Sequence, residues 1–108
     1  MTIAAVERLK SQVGQEVHVS DWVPITQHRV DAFAGATGDH QWIHVDPERA
    51  RRESPYKAPI AHGYLTLSLH ILLRDLVAPD RPYVPGVASV VNYGLNKVRF
   101  PAPVPVGS

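Results

Sequence analysis

The sequence of 108 residues contains no cysteine, which excludes disulfide bonds, thiolate nucleophiles and cysteine-ligated zinc. It also lacks an excess of charge of either sign, because 11 lysine and arginine residues stand against 10 aspartate and glutamate residues. A formal net charge of +1 gives no broad positive field for nucleic acid or for an anionic membrane. We therefore expect neither of these partners, and we expect the cytoplasm as the location, since the absence of cysteine fits a reducing compartment.

Long apolar runs are missing as well. Glu7 and Lys10 fall where a secretory signal needs an uncharged apolar stretch. The most apolar window, residues 63–77, is interrupted by His70 and Arg74 and is shorter than the about 20 residues that span a bilayer. We expect neither a signal peptide nor a transmembrane helix, and this window predicts a buried helix instead.

A chain of this length is expected to form one globular domain, which covers residues 1–108. At this size, folding removes only roughly 65 % of the extended chain's surface from water, so the domain gains from association. A second subunit is therefore expected from length alone.

Helices are predicted from capping residues and apolar spacing. Thr26 is a suitable N-cap, Val30 and Ala34 recur on one helical face, and Gly38 ends that helix. Asp46-Pro47 begins the next helix, with an acceptor at the cap and proline at the first helical position. These signals predict short helices over residues 3–12, 27–37 and 47–54.

Two segments predict β-strands around a long central helix. Residues 16–23 alternate apolar and polar side chains, and residues 87–100 are rich in β-branched and aromatic residues, with a bend or bulge at Gly94. Residues 63–77 carry apolar side chains on most sides, which is typical of a helix covered by a sheet. Two strands are too few to cover it, so we expect further strands after Ser108 or from another polypeptide.

Titratable groups and bulky side chains concentrate between the second and third of these helices. Asp39 and His44 lie five positions apart in a turn, where a carboxylate and an imidazole can share one water molecule and move protons near neutral pH. Trp42 and Ile43 could form walls of that cavity. The competing interpretation is structural, with Asp39 capping the turn after Gly38 and His44 satisfied within the fold.

Two ordered motifs follow one another along the chain. The first consists of Phe33, Thr37-Gly38-Asp39, Ile43-His44, Asp46-Pro47 and Ala50, and the second is Pro59-Ile60-Ala61-His62-Gly63 at the start of the central helix. Together they resemble the MaoC-like dehydratase and (R)-specific enoyl-CoA hydratase family. The resemblance covers roughly residues 12–108 and implies that Asp39 and His44 are the catalytic pair.

The resemblance also implies the fold and the reaction. The fold would be an α+β hot dog, an antiparallel sheet wrapped around a long central helix, and this chain would be its N-terminal part with the C-terminal strands missing. The reaction would be reversible hydration of trans-2-enoyl thioesters to (R)-3-hydroxyacyl thioesters in fatty-acid metabolism, by a homodimer. The substrate would be a thioester of coenzyme A or of a carrier protein, with no cofactor and no metal.

Gly63 is the expected donor to the thioester carbonyl. Its backbone N–H lies at the start of a helix, and its missing side chain allows close approach, although a glycine kept for packing alone is the competing interpretation. The remaining residues expected at the substrate pocket are Gln41, Trp42, Ile43 and His62. Members of this family usually carry Asn-Pro where this chain has Gln41-Trp42, which bears on the preferred acyl group.

Three other functions fit parts of the pattern. His40 and His44 with Asp39 and Asp46 could bind a metal, although the His-Glu-x-x-His motif of zinc hydrolases is absent. A hot-dog thioesterase or a non-catalytic acyl-thioester-binding module would keep the fold and change the activity. The basic run of Arg49, Arg51, Arg52 and Lys57 is interpreted as a solvated helix face rather than as a phosphate site for coenzyme A.

Overall fold

The computed structural model describes residues 2–75, 84 and 86–108. Its helices are α1 (Ile3–Ser11), α2 (Gln27–Thr37), α3 (Trp42–Val45), α4 (Pro47–Glu53), α5 (Gly63–Ser68) and α6 (His70–Leu73). The described residues form two compact units, unit 1 from Met1–Asp21 and His70–Asn96, and unit 2 from Trp22–Leu69 and Lys97–Ser108. None of the described helices is long and apolar enough to cross a membrane.

Helix α2 begins and ends where its capping residues predict. The Thr26 hydroxyl accepts a hydrogen bond from the backbone N–H of Arg29 at 3.1 Å, which satisfies one of the free donors of the first turn. Gly38 ends the helix in the left-handed region with φ +81°, and its N–H donates to the carbonyl of Ala34 at 2.8 Å. The predicted bounds of this helix are confirmed.

Helices α1 and α4 also confirm their predictions. In unit 1, α1 begins after Thr2, whose hydroxyl accepts from the N–H of Ala5 at 3.1 Å. In unit 2, α4 begins with Pro47, and the carboxylate of Asp46 accepts from the N–H of Arg49 at 3.1 Å. Local capping residues were therefore sufficient to predict α2 and the start of α4, and the cap at Thr2 is seen in the structure.

The core of unit 2 joins its helices to the final residues of the chain. Its buried apolar side chains are Val30 and Ala34 of α2, Ala50 of α4, Leu65 of α5, and Ile60, Ala61 and Leu69. The segment 104–108 is hydrogen-bonded beside them: Ala61 N–H donates to Val104, and Val106 N–H donates to Pro59, at 2.8 and 2.9 Å. An isolated antiparallel bridge between Ile60 and Pro105 lies within this pairing.

The predicted strands are not formed in the described residues. Residues 16–23 and 87–100 are irregular, the bend lies at Asn96 rather than Gly94, and the described ranges contain no strand ladder beyond the single bridge. A strand exists only when its backbone groups pair with a neighbour, and side-chain alternation alone supplies no such partner. The antiparallel sheet expected around the central helix is therefore not confirmed.

The long central helix is also wrong as one continuous element. Helix α5 ends at Ser68, the N–H of Leu69 is shared between the carbonyls of Leu65 and Thr66 at 3.1 and 3.3 Å, and α6 begins at His70. The predicted residues 76–77 lie outside the described residues. The prediction that this helix is buried on most sides is also wrong, since Tyr64 and Leu72 are 70 % and 49 % exposed. The described residues contain no sheet that could cover these two side chains.

Candidate active site

The sequence-predicted pair lies in unit 2 together with a second histidine. Asp39 is in the loop after α2, His44 is in α3, and His62 immediately precedes α5. A carboxylate oxygen of Asp39 and one ring nitrogen from each histidine lie within 4.8 Å of one another. A single water molecule can contact groups at this separation.

Asp39 is placed by the reversal of the chain at Gly38. The left-handed conformation of that glycine turns the backbone out of α2, so that the next residue faces solvent. The Asp39 carboxylate accepts from the N–H of Gln41 at 3.4 Å, and its own N–H donates to the Thr37 hydroxyl at 3.5 Å. Both hydrogen bonds are long and therefore weak, so the capping interpretation accounts for little of what holds Asp39.

His44 is buried, and its ring orientation is fixed by one backbone group. Its Nδ1 lies 2.7 Å from the carbonyl oxygen of Ile60, and a carbonyl can only accept, so Nδ1 carries the hydrogen and donates it. In the neutral ring the lone pair is then on Nε2, which can accept a proton or a hydrogen bond. The orientation of His44 is thus suited to proton transfer at Nε2.

The backbone of His44 is held from α2. The side chain of Gln27 donates through Nε2 to the His44 carbonyl at 2.7 Å and to the Asp31 carboxylate at 2.9 Å. Sequence reasoning missed this residue, because Gln27 lies 17 positions before His44 and no spacing rule relates the two. The backbone carbonyl of Ile60 was missed for the same reason, since any residue type could supply it.

His62 contacts both members of the predicted pair. Its Nε2 lies 2.9 Å from the carbonyl oxygen of Asp39, to which it donates, and its ring stacks on that of His44 with centroids 3.8 Å apart. The centroid of the Phe33 ring lies 4.8 Å from the centroid of the His62 ring. The remaining nitrogen, Nδ1, is buried and has no hydrogen-bond partner, a condition that costs about 1–3 kcal/mol.

Gly63 and His44 line a common cavity of about 270 Å³. As the first residue of α5, Gly63 has no acceptor for its N–H within the helix. A Cβ at this position would lie 2.6 Å from a ring carbon of Phe100, so close packing also requires glycine here. Helix α5 has only six residues, so any polarising effect comes from this single N–H rather than from the helix dipole expected from the sequence.

The other expected pocket residues occupy different surroundings. The described lining of the cavity includes Tyr56, Ile60 and Thr66, but not Asp39, Gln41, Trp42, Ile43 or His62. The ring of Trp42 lies instead under the guanidinium of Arg49, 4.2 Å from its centroid. Arg49 also pairs with Glu53 at 2.6 Å, which agrees with the interpretation of the basic run as a helix face.

The group of Asp39, His44 and His62 has the ligand types that a metal ion uses. His40 and Asp46, which the sequence suggested as ligands, are not part of this group. The rings of His44 and His62 are stacked with centroids 3.8 Å apart and an interplanar angle of 24°, so the two ring planes that contain the lone pairs lie side by side. Zinc needs nitrogens that converge at about 2.0–2.1 Å, and this arrangement therefore suits a hydrogen-bonded water better than zinc.

Comparison with known proteins supports the family resemblance found in the sequence. A family model described as the MaoC like domain matches residues 8–108. The chain is 55 % identical over 107 residues to 3-hydroxyacyl-thioester dehydratase Z of Mycobacterium tuberculosis, a match that covers 99 % of this chain and 68 % of the relative. It is 48 % identical over 98 residues to nodulation protein N of Rhizobium leguminosarum bv. viciae, covering 91 % and 59 %.

A solved structure is similar as well. The X-ray structure of a monoamine oxidase regulatory protein from Archaeoglobus fulgius matches with a TM-score of 0.64 and 29 % sequence identity. The similarity covers 84 % of this chain and 61 % of that chain. The present chain thus spans between 59 % and 68 % of the length of these three proteins.

Proposed function

Because the chain belongs to the MaoC-like domain family, we propose that it catalyses the reversible hydration of trans-2-enoyl thioesters to (R)-3-hydroxyacyl thioesters. The enzyme is a hydro-lyase, as the 55 % identity to a 3-hydroxyacyl-thioester dehydratase supports. The single observation that carries the reaction is the approach of the Asp39 carboxylate to a ring nitrogen of buried His44, within 4.8 Å.

His44 and Asp39 divide the work on the water molecule. His44 accepts a proton from water at Nε2, the position left with a lone pair by the hydrogen bond to Ile60. The Asp39 carboxylate accepts a hydrogen bond from the second hydrogen of the same water and orients the water toward C3. The hydroxide adds at C3, the electrons move onto the thioester oxygen, and the proton on His44 passes to C2. Dehydration follows the same steps in reverse.

Gly63 would stabilise the charge that develops on the thioester oxygen. Its N–H is unpaired within α5, and the residue lines the same cavity as His44. A donor aimed at a developing oxyanion lowers the barrier more than one aimed at the neutral carbonyl. Support for this role is the shared cavity, and the close approach of Phe100 shows that packing also favours glycine.

The architecture around the site is proposed on separate grounds. Family membership and the similarity to a solved structure place the chain in the MaoC-like hot-dog fold family. We propose that residues 16–23 and 87–100 join an antiparallel sheet when a homodimer partner or further strands cover them, because Val19, Val91 and Tyr93 are at least 73 % exposed here. We also propose that the substrate is a thioester of coenzyme A or of a carrier protein. The enzyme would act in fatty-acid metabolism and lie in the cytoplasm.

The test is the loss of ultraviolet absorption as crotonyl-CoA is hydrated by the full-length protein. Asp39→Asn and His44→Ala should each lower kcat by about 10²–10⁴-fold, the usual contribution of a positioned acid or base. Asp21→Asn and His28→Ala, which change exposed residues of the same types, are the matched controls and should keep full activity.

Three outcomes would contradict the assignment. Unchanged turnover in Asp39→Asn or in His44→Ala, with the fold intact by circular dichroism, would remove that residue from the mechanism. Release of free coenzyme A without loss of the enoyl absorption would favour the hot-dog thioesterase alternative. Loss of activity on treatment with a chelator would instead favour a metal centre.

A further inference from the structure

We propose that His62 is a positioning residue that sets the relative placement of Asp39 and His44. This inference rests on the proposed function, because it concerns how the same pair is held for the hydration reaction. His62 is 3 % exposed and contacts both members of the pair, through a hydrogen bond to one and a stacked ring on the other. Neither His44 nor Asp39 is fixed fully by its other contacts.

The stacked ring of His62 restrains a motion of the His44 ring that the hydrogen bond to Ile60 still permits. The bond from Nδ1 to the Ile60 carbonyl determines which ring edge faces that carbonyl, but the ring can still tilt through small coupled changes in χ1 and χ2. A second ring packed 3.8 Å away with an interplanar angle of 24° limits this tilt. His62 therefore defines the direction in which Nε2 of His44 points.

The hydrogen bond from His62 anchors the loop that carries Asp39. Its Nε2 donates to the Asp39 carbonyl at 2.9 Å, whereas the local bonds with Gln41 and Thr37 are 3.4 and 3.5 Å long. Because Asp39 is exposed, packing contributes little to its placement. The bond from His62 is the strong polar contact that ties this backbone to the buried interior.

The free-energy cost of burying an unpaired ring nitrogen also indicates a functional role for His62. An apolar ring of similar size would fill the space between His44 and Phe33 without burying an unpaired polar atom. His62 instead keeps its Nδ1 buried and unpartnered. A donor at Nε2 and a flat face are both needed at this position, and histidine provides both.

Two variants of the full-length protein separate the two contacts. His62→Phe keeps a flat ring and removes the donor, and His62→Gln keeps an N–H donor at similar reach and removes the ring. We expect each to lower kcat for crotonyl-CoA hydration by about 10-fold, and His62→Ala by about 100-fold, since displacement of a catalytic group by about 1 Å can cost 10²-fold. The KM should change by less than about threefold, because His62 does not line the cavity.

Nuclear magnetic resonance of the ligand-free protein provides a readout that does not depend on activity. In His62→Gln, the ring nitrogen signals of His44 should broaden, while the amides of residues 39–41 stay sharp. In His62→Phe the pattern should reverse, with a sharp His44 ring and broadened amides in the loop. A purely structural role would lower the unfolding midpoint and leave both sets of signals in the folded protein unchanged.

The outcomes distinguish this inference from the proposed function. If the unchanged protein does not hydrate crotonyl-CoA, the proposed function fails. If Asp39→Asn loses activity while His62→Phe and His62→Gln keep the kcat of the unchanged protein, only the positioning role fails. Should His62→Ala not fold, the kcat values and spectra of the other two variants still decide the question.

Discussion

The two compact units differ in how well their apolar side chains are covered. Of the nine described apolar residues that are buried, unit 1 contributes Ala5 and Val84, and the other seven belong to unit 2. All three groups of the candidate site lie in unit 2, where packing can hold the two buried histidine rings in one orientation. Helices form in both units, whereas the candidate site lies in the unit that buries most of the apolar side chains.

Unit 1 exposes the side chains that the sequence assigns to a sheet. Val19, Val91 and Tyr93 are 73 %, 80 % and 105 % exposed, and Val13 is 81 % exposed after α1. Unit 2 buries seven apolar side chains, whereas unit 1 leaves these four exposed. The sheet proposed above, formed with a homodimer partner or further strands, would cover Val19, Val91 and Tyr93.

The largest expected difference between the units concerns leucine. Leu65→Ala in unit 2 removes a side chain that is 6 % exposed and should lower the free energy of unfolding by about 2–5 kcal/mol. Leu72→Ala in unit 1 changes a residue that is 49 % exposed and should cost less than about 1 kcal/mol. Urea denaturation of both variants measures the difference, and equal losses would contradict the contrast in packing.

Two glutamines, one in each unit, test whether a hydrogen bond contributes more to stability in unit 2 than in unit 1. Gln27→Leu leaves the His44 carbonyl without its donor and should lower the unfolding free energy by about 1–3 kcal/mol. Gln15 makes the same kind of bond, to the Ser11 carbonyl at 3.2 Å, but in an exposed place, so Gln15→Leu should change stability by less than about 0.5 kcal/mol.

The glutamine pair also reports on the site. Only Gln27→Leu should reduce the hydration of crotonyl-CoA, because only this residue holds the backbone of His44. Full activity in Gln27→Leu, together with a normal fold, would show that the backbone of His44 needs no support from α2.

The smallest expected difference concerns two threonine N-caps. Thr26→Ala should lower the global unfolding free energy by about 1 kcal/mol, because α2 carries buried core residues. Thr2→Ala removes an equivalent bond of 3.1 Å from α1, whose one buried residue is Ala5. It should lower helix content by circular dichroism with little change in the urea midpoint. A larger global loss from Thr2→Ala would show that α1 belongs to the cooperative core.

Elements fixed by neighbouring residues were predictable from the sequence. Thr26 and Gly38 set the two ends of α2, and Asp46-Pro47 sets the start of α4, because capping involves atoms within a few residues of each other. The approach of Asp39 to His44 was predicted for the same reason, since both lie in one short turn region. Family resemblance added the reaction, which no local rule provides.

Features that depend on distant partners could not be predicted in this way. The strands at residues 16–23 and 87–100 need neighbours along their edges, and alternation of side chains cannot show whether such neighbours are present. The hydrogen bonds from Gln27 to His44 and from His44 to Ile60 join residues 16 or more positions apart. Only tertiary folding brings these groups together.

The bridge between Ile60 and Pro105 has a consequence for the order in which the protein folds. The carbonyl that orients the His44 ring belongs to Ile60, and both neighbours of Ile60 are bonded to residues 104 and 106. Pairings across such a sequence separation form slowly, and during synthesis they must wait until the later segment has left the ribosome. We therefore expect the imidazole to reach its working orientation late in folding, after the helices around it have formed.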